Sequence, residues 1–487
     1  MIGWEEGTLG EQVEYVEPAV FADAIAEAVE ESGSLAGLFF FGDADGQVEL
    51  RAVLADGGDL RQLVAVLPPT SRRYPAVGRL VEAAVRYERL ATERFGIEPE
   101  GLPPQRPLAR PTLRDGERRS APVPGLFALP YGPVRSGVFE SVEWVLSTRG
   151  EEILGLFPEV RPKRRGIEQA FEGRSPEEAV VVAERVEGTA CIAEALAMAG
   201  ALERLSGIEV PRPAALARLV HAELERIATH LSSMVRHCEG AGQAVAQARL
   251  ATHRETVLRL RAALCGHRFG RGVVVPGGVT GPPMASPRDV QKTLERLEDA
   301  LSADLDLLMT TPSFLDRLRG TGLLHLDEVV TLGALGPVAR GSGVSDDVRH
   351  NRPTKCYEEL GFRPAVASEG DALARQQVRV EEVRESFRLL RAVLAELADG
   401  SGWQWATRPW RVPLSPRDGT ALGWAESPQG EVLTMVEVQG GRVRRAAPRP
   451  ASFHNVDLFP AAFKGDIFTD FVFIEASFGL SIAGAAG

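Results

Sequence analysis

The chain has 487 residues, more than one hydrophobic core ordinarily serves, so two or more domains are expected. Its 44% hydrophobic and 25% charged residues are the balance of an ordinary globular protein, and a formal net charge of −12 argues against a nucleic-acid partner. Cys191, Cys238, Cys265 and Cys356 lie far apart with no C-x-x-C pair, which excludes a sequence-local zinc or iron–sulfur site and suggests reduced thiols in a cytoplasm. The acidic start (Glu5, Glu6, Glu11, Glu14) is no signal peptide, and no apolar run is long enough to span a bilayer. Any membrane attachment is expected to come through other subunits.

In chain order, residues 1–98 read as a small α/β unit. Ala19–Glu31 has helical periodicity. Leu38–Phe41 and Val48–Leu54 read as strands around the Asp43–Gly46 turn, and a helix is predicted from about Ala76 to Arg94, stopping before Gly96. Nine prolines between Pro99 and Pro133 mark extended chain, with a linker at 99–125. Beyond Leu126 a short β-rich segment (Gly137–Leu146, Ile153–Leu156) precedes helical runs at Pro176–Leu205, Pro213–Glu239, Gln243–Leu264, Pro287–Leu308, Pro312–Leu318 and Leu373–Leu397. Trp410–Gly487 reads as strands and turns. The expected fold class is α+β: a small N-terminal α/β domain, then a large, mainly helical domain with β decorations at 126–487.

One helix carries chemistry on its apolar face. Along Pro213–Glu239, Leu216, Leu219, Val220, Ile227, Leu231 and Met234 share one side, and Glu223 and His230 fall inside the same stripe. Buried charged groups are costly unless paired. Two readings follow: a satisfied internal network, or a role in proton movement and redox coupling. Lys163-Arg164-Arg165 is a cationic cluster, either a solvated surface or guanidinium groups that stabilise a reduced centre. There is no phosphate-binding G-x-x-x-x-G-K-[ST] loop, no strand–G-x-G-x-x-G–helix unit, and no H-E-x-x-H or G-x-S-x-G signature.

Several motifs together resemble the large subunit shared by complex I (its D-type, 49 kDa quinone-site component) and membrane-bound, energy-converting [NiFe] hydrogenases. They are Arg165-Gly166-Ile167-Glu168, Arg185–Cys191, Gly207–Pro211, Ala222–Leu231, Gly266–Val273, Pro276–Val279 and Gly336–Arg340 followed by Ser342-Gly343, in the family's order. Tyr87-Glu88-Arg89 and Phe95-Gly96-Ile97 resemble the C-type component of complex I, although Leu90 and Leu102 depart from it. The whole chain thus looks like a C–D fusion.

The departures fall on the chemistry. In the hydrogenase branch an Arg-x-Cys-Gly-x-Cys turn and a C-terminal Asp-Pro-Cys-x-x-Cys turn bind nickel and iron. Here Glu187, Ala190, Ser481 and Gly484 stand at the four cysteine positions. Soft thiolates suit that metal pair; a carboxylate and a hydroxyl do not, so a Ni–Fe centre is not expected. The quinone-site His of a Gly-Pro-x-His-Pro loop is replaced by Arg135 in Gly132-Pro133-Val134-Arg135-Ser136, and the expected tyrosine by Gly188.

The catalytic candidates are Glu187, from the resemblance, and His230 and Glu223, from the helix face, with Arg135, Arg165, Arg185 and Ser481 around an acceptor. Glu187 is read either as a proton donor or as a salt-bridge partner of Arg165 or Arg185. No cofactor is expected on the chain itself. The resemblance implies a quinone as substrate, a B-like small subunit holding an iron–sulfur cluster, and antiporter-like and H-like membrane subunits. The chain would then lie peripherally on the inner face of the cell membrane, with any NADH oxidised by other subunits. The alternative is a scaffold that only links the iron–sulfur subunit to the membrane subunits.

Overall fold

The computed structural model describes residues 4–6, 12–31, 33–43, 45–102, 126–135, 140–399, 402–403 and 409–487. Most of the proline-rich linker (103–125), Ser136 and the first residues of the expected Gly137–Leu146 strand lie outside them. The described chain is α+β, with several small sheets beside a large set of helices.

The first hundred residues build a five-stranded sheet, in the order Trp4–Glu6, Gln12–Tyr15, Asp59–Leu67, Val48–Asp56, Ser34–Gly42. Phe21, Ile25, Leu38, Leu50 and Tyr87 are among the side chains that fill its core. The expected Ala76–Arg94 helix is α-helical only from Val85 to Phe95; two 3₁₀ turns, Val77–Arg79 and Glu82–Ala84, precede it. The cause is Glu88, whose carboxylate accepts the Val77 and Gly78 amides at 2.8 and 3.0 Å and holds that turn away from helical pairing. The helix ends at Gly96 in the left-handed conformation (φ 63°).

The helical part is organised around Arg212–Gly240. Ala244–Cys265, Ala372–Leu397 and Phe471–Phe478 pack against it, and Pro287–Leu308 covers Ala244–Cys265. The helix Cys191–Ser206 lies across the antiparallel sheet Gly419–Ser427, Gly430–Gln439, Arg442–Arg449. Period-2 alternation sends Val436 and Val438 towards that helix and Leu433 and Met435 towards Phe39 and Phe41 of the N-terminal sheet. The middle sheet is therefore buried on both faces. Polar contacts finish this docking: Arg86 donates to Asp457 (2.8 Å) and to the Ala485 carbonyl (2.6 Å), and Tyr87 Oη meets His454 Nε2 at 2.9 Å.

Two expectations need correction. The Pro176–Leu205 run is two helices, Pro176–Ala183 and Cys191–Ser206. The guanidinium of Arg165 takes the Arg185 carbonyl (3.0 Å) and the Val186 carbonyl, acceptors that a continuous helix would need for its own ladder. The C-terminal part does not stay in strands and turns. After Arg449 it is helical at Ala451–Asn455, Phe471–Phe478 and Ile482–Ala486, because apolar residues recur there without alternation.

Gly336 opens a short helix at φ 64°, and a β-carbon there would overlap the Gln429 carbonyl oxygen. Gly336→Ala is expected to lower stability by more than about 1–2 kcal/mol, the left-handed penalty alone. A urea melt showing a smaller loss would mean the loop yields.

Candidate functional site

The turn Glu184–Ala190 and the loop after Phe478 meet at Glu187. A β-carbon placed on Gly484 would collide with Glu187 Oε2, and Ser481 is a close neighbour of the same carboxyl. So Glu187, Ser481 and Gly484 face one another, and Ala190 begins the helix beside them. Ser481 caps the last helix, its Oγ accepting Gly484 N–H at 3.3 Å, and its own amide donates to Ser452 Oγ at 3.0 Å.

Glu187 is 2% exposed, and neither of its oxygens receives a well-formed hydrogen bond. Burial pushes its carboxyl up to about 8; Glu140 and Glu225 add to this, and Ser481 and Arg165 oppose it. The expected alternative partners are occupied elsewhere. Arg165 holds backbone carbonyls, and Arg185 donates to the Val181 carbonyl and reaches Glu184 at 3.4 Å. Arg135 is held by both oxygens of Glu475 (3.0 and 2.7 Å) and sits over the Tyr131 ring, 5.1 Å from its centroid.

The same place holds acids that the sequence reading passed over. Glu225, on the long helix, accepts the Ile192 and Ala193 amides (3.0 to 3.2 Å) and lies 3.5 Å from Arg261. It thereby satisfies the first turn of the Cys191 helix, whose N-cap Ala190 has no side chain to do so. Glu194, one turn in, is 0% exposed with both oxygens unbonded; burial, then the Glu187 and Glu225 charges, hold it well above the carboxylate range. Glu140 accepts the Ala483 amide at 2.8 Å. Glu194 did have a signal, being the lone charge in the otherwise apolar run Cys191–Ala199.

Glu223 and His230 belong to a different assembly. Glu223 is ringed by Arg226 (3.2 Å), Arg349 (3.3 Å), Ser386 (2.6 Å) and the Tyr357 hydroxyl (2.5 Å). Burial would raise its carboxyl, but Arg226 and Arg349 outweigh that and hold it low. His230 Nε2 donates to Glu382 at 2.7 Å, and burial depresses its ring to about 4. Glu382 also binds Arg340, which reaches Glu426 (3.0 Å) and Asp347 (3.1 Å). The groups that set the titration of Glu187 and of His230 do not overlap. Glu223 and His230 are each fully partnered within this network.

Burial also holds His221, His237 and His454 down, to about 3, 4 and 3. A histidine buried neutral contributes stability that is fully present above its unfolded value of about 6.5 and is lost as pH falls towards the folded one. Each of the four contributes up to about 1.4 kcal/mol per pH unit below 6.5. Denaturant melts should therefore weaken steeply between pH 6.5 and 4; a flat profile there would contradict the neutral assignment.

Glu187, Ala190, Ser481 and Gly484 offer one carboxylate, a methyl, a hydroxyl and a glycine hydrogen, and the Glu187 carboxyl already fills the space beside Gly484. Such donors do not suit a soft nickel–iron centre. Burial raises the Cys191 thiol strongly, which disfavours the thiolate that a metal would require. Among the described residues no group of three or more His, Cys, Asp or Glu is arranged to hold a metal ion. No described helix is long and apolar enough to cross a membrane.

This scaffold is similar to that of the complex I D-type and membrane-bound hydrogenase large subunits. Residues 241–417 match the family described as the respiratory-chain NADH dehydrogenase 49 kDa subunit. The carbon monoxide-induced hydrogenase of Rhodospirillum rubrum is 29% identical over 354 residues, 72% of this chain and 96% of that protein. A D-type subunit of the NADH-quinone oxidoreductase of Koribacter versatilis is 26% identical over 74% of this chain and 94% of its own length. The alpha subunit of the membrane-bound hydrogenase of Pyrococcus furiosus is 28% identical, covering 72% and 84%. A chain of the archaeal membrane-bound sulfane sulfur reductase superposes with TM-score 0.69 at 24% identity, over 74% of this chain and 99% of that one. Glu187 and Ser481 both lie outside the 241–417 match, so their roles rest on geometry.

Proposed function

We propose that this chain is the acceptor-side large subunit of a membrane-associated redox complex. It takes electrons from an iron–sulfur cluster on a B-like partner subunit and passes them to a quinone or similar acceptor. Antiporter-like and H-like partners would couple the transfer to ion translocation, with the assembly on the inner face of the membrane. The observation that supports this reading is the convergence of Glu187 with the Ser481–Gly484 loop, where a buried carboxyl is raised by desolvation.

In this reading Glu187 is the proton donor. Arg165 shapes the turn that presents it, Arg185 flanks that turn, and Ser481 borders the carboxyl. Arg135 fixes Glu475 on the helix leading into the Ser481 loop, so its part in acceptor binding is indirect. Glu223 and His230 support the frame from the neighbouring network.

The scaffold alternative draws on the tight packing of Glu187 against Gly484. Quinone reduction by the purified complex, with Glu187→Gln and Arg135→Ala variants, separates the two. Turnover unchanged in both would remove the site assignment and favour the scaffold.

A further inference from the structure

Four carboxylates converge where the Glu184–Ala190 turn, the Cys191 helix, the long Arg212–Gly240 helix and the C-terminal loop meet: Glu140, Glu187, Glu194 and Glu225. They divide sharply by their partners. Glu225 has two backbone amides and Arg261, and Glu140 has the Ala483 amide. Glu187 has only the nearby Ser481 hydroxyl, which makes no well-formed hydrogen bond to it, and Glu194 has no partner among the described residues; the two residues are 2% and 0% exposed. Leaving two ionised carboxylates in that state is strongly unfavourable. The charged groups facing them do not relieve it. Glu187 sees Glu140, Glu225 and Arg165, while Glu194 sees Glu187 and Glu225, so the surroundings are mostly negative.

We propose that Glu187 and Glu194 form a two-proton store at the acceptor end of the fold, in which Glu194 is a relay residue acting through Glu187. This deepens, and rests on, the acceptor-reducing function proposed above. Reduction of a quinone takes two electrons, here from the partner's iron–sulfur cluster, and two protons. The Glu187 O–H breaks as the first quinol O–H forms. Glu194 then protonates the Glu187 carboxylate, which delivers the second proton. Two buried carboxylates remain, and their desolvation and mutual repulsion pull two protons back from solvent.

The test is infrared difference spectroscopy on the full chain in its assembled complex at neutral pH, beside quinone-reduction kinetics. Each of Glu187→Gln and Glu194→Gln should remove one protonated-carboxyl carbonyl band. Glu194→Asp should restore a band in place of that of Glu194. Glu194→Gln should lower kcat with KM unchanged and alter the pH profile of kcat. If Glu194→Gln removes no such band, Glu194 is ionised and the store does not exist. If the band is lost while kcat and its pH profile stay as in the unmodified chain, the relay is overturned. A complex that reduces no quinone in any form, yet loses the Glu194 band, keeps the protonated pair and overturns the acceptor instead.

Discussion

Replacing Arg340 with alanine is expected to lower the unfolding free energy by about 3–5 kcal/mol. The guanidinium is fully buried and binds Glu382 at 3.0 and 2.7 Å, Glu426 and Asp347 at 3.0 and 3.1 Å, and the Asp346 carbonyl at 2.7 Å. Removing it leaves buried carboxyl groups without their cation. The network also predicts a contrast between two of its acids. Burial, reinforced by Asp347, pushes the Glu426 carboxyl up to about 8 against the pull of Arg340, so Glu426→Gln should cost less than the same change at Glu382. In Glu382 burial acts the same way, but Arg340 and the His230 hydrogen bond overcome it and hold the carboxyl far below its usual range; Glu382→Gln should be costly. Urea melts of the three variants decide this. A loss below about 1 kcal/mol for Arg340→Ala would mean that the ion network is not what holds these helices together.

Glu187→Gln carries the largest expected effect on activity, a fall of about 10²- to 10⁴-fold in turnover if the carboxyl is the proton donor. The same substitution has a stability signature that needs no substrate. The folded carboxyl titrates near 8, above its ordinary 4.5. Its contribution is therefore fully present below about pH 4.5 and is lost as pH rises through 8. Glutamine abolishes that loss, so the variant should gain on the unmodified chain as pH climbs from 4.5 to 8, and the gain should level off beyond. A difference that stays constant with pH would show that Glu187 is ionised in the folded chain, and the donor role would go with it.

Much of the framework was readable from periodicity and from glycine and proline punctuation. Pro287–Leu308 and Pro312–Leu318 begin and end where predicted, and the long central helix is within one residue at each end. These elements announce themselves because a stripe recurs every three or four residues and capping residues stand at the ends. The breaks were harder. The interruption at Glu184–Ala190 depends on Arg165, and the 3₁₀ turns before Val85 depend on Glu88. In both cases a polar side chain outbids the local helical ladder.

By itself the sequence determined the α+β class and most of the long helices. Only the tertiary structure decided which acids are bonded and which are not. Glu223 and Glu187 look alike along the chain, but Glu223 is ringed by Arg226, Arg349, Tyr357 and Ser386, and Glu187 is not. A carboxyl's charge state follows from the dielectric and the donors around it, and those arrive from helices more than a hundred residues distant. No local pattern encodes that neighbourhood; the packing of the whole chain does.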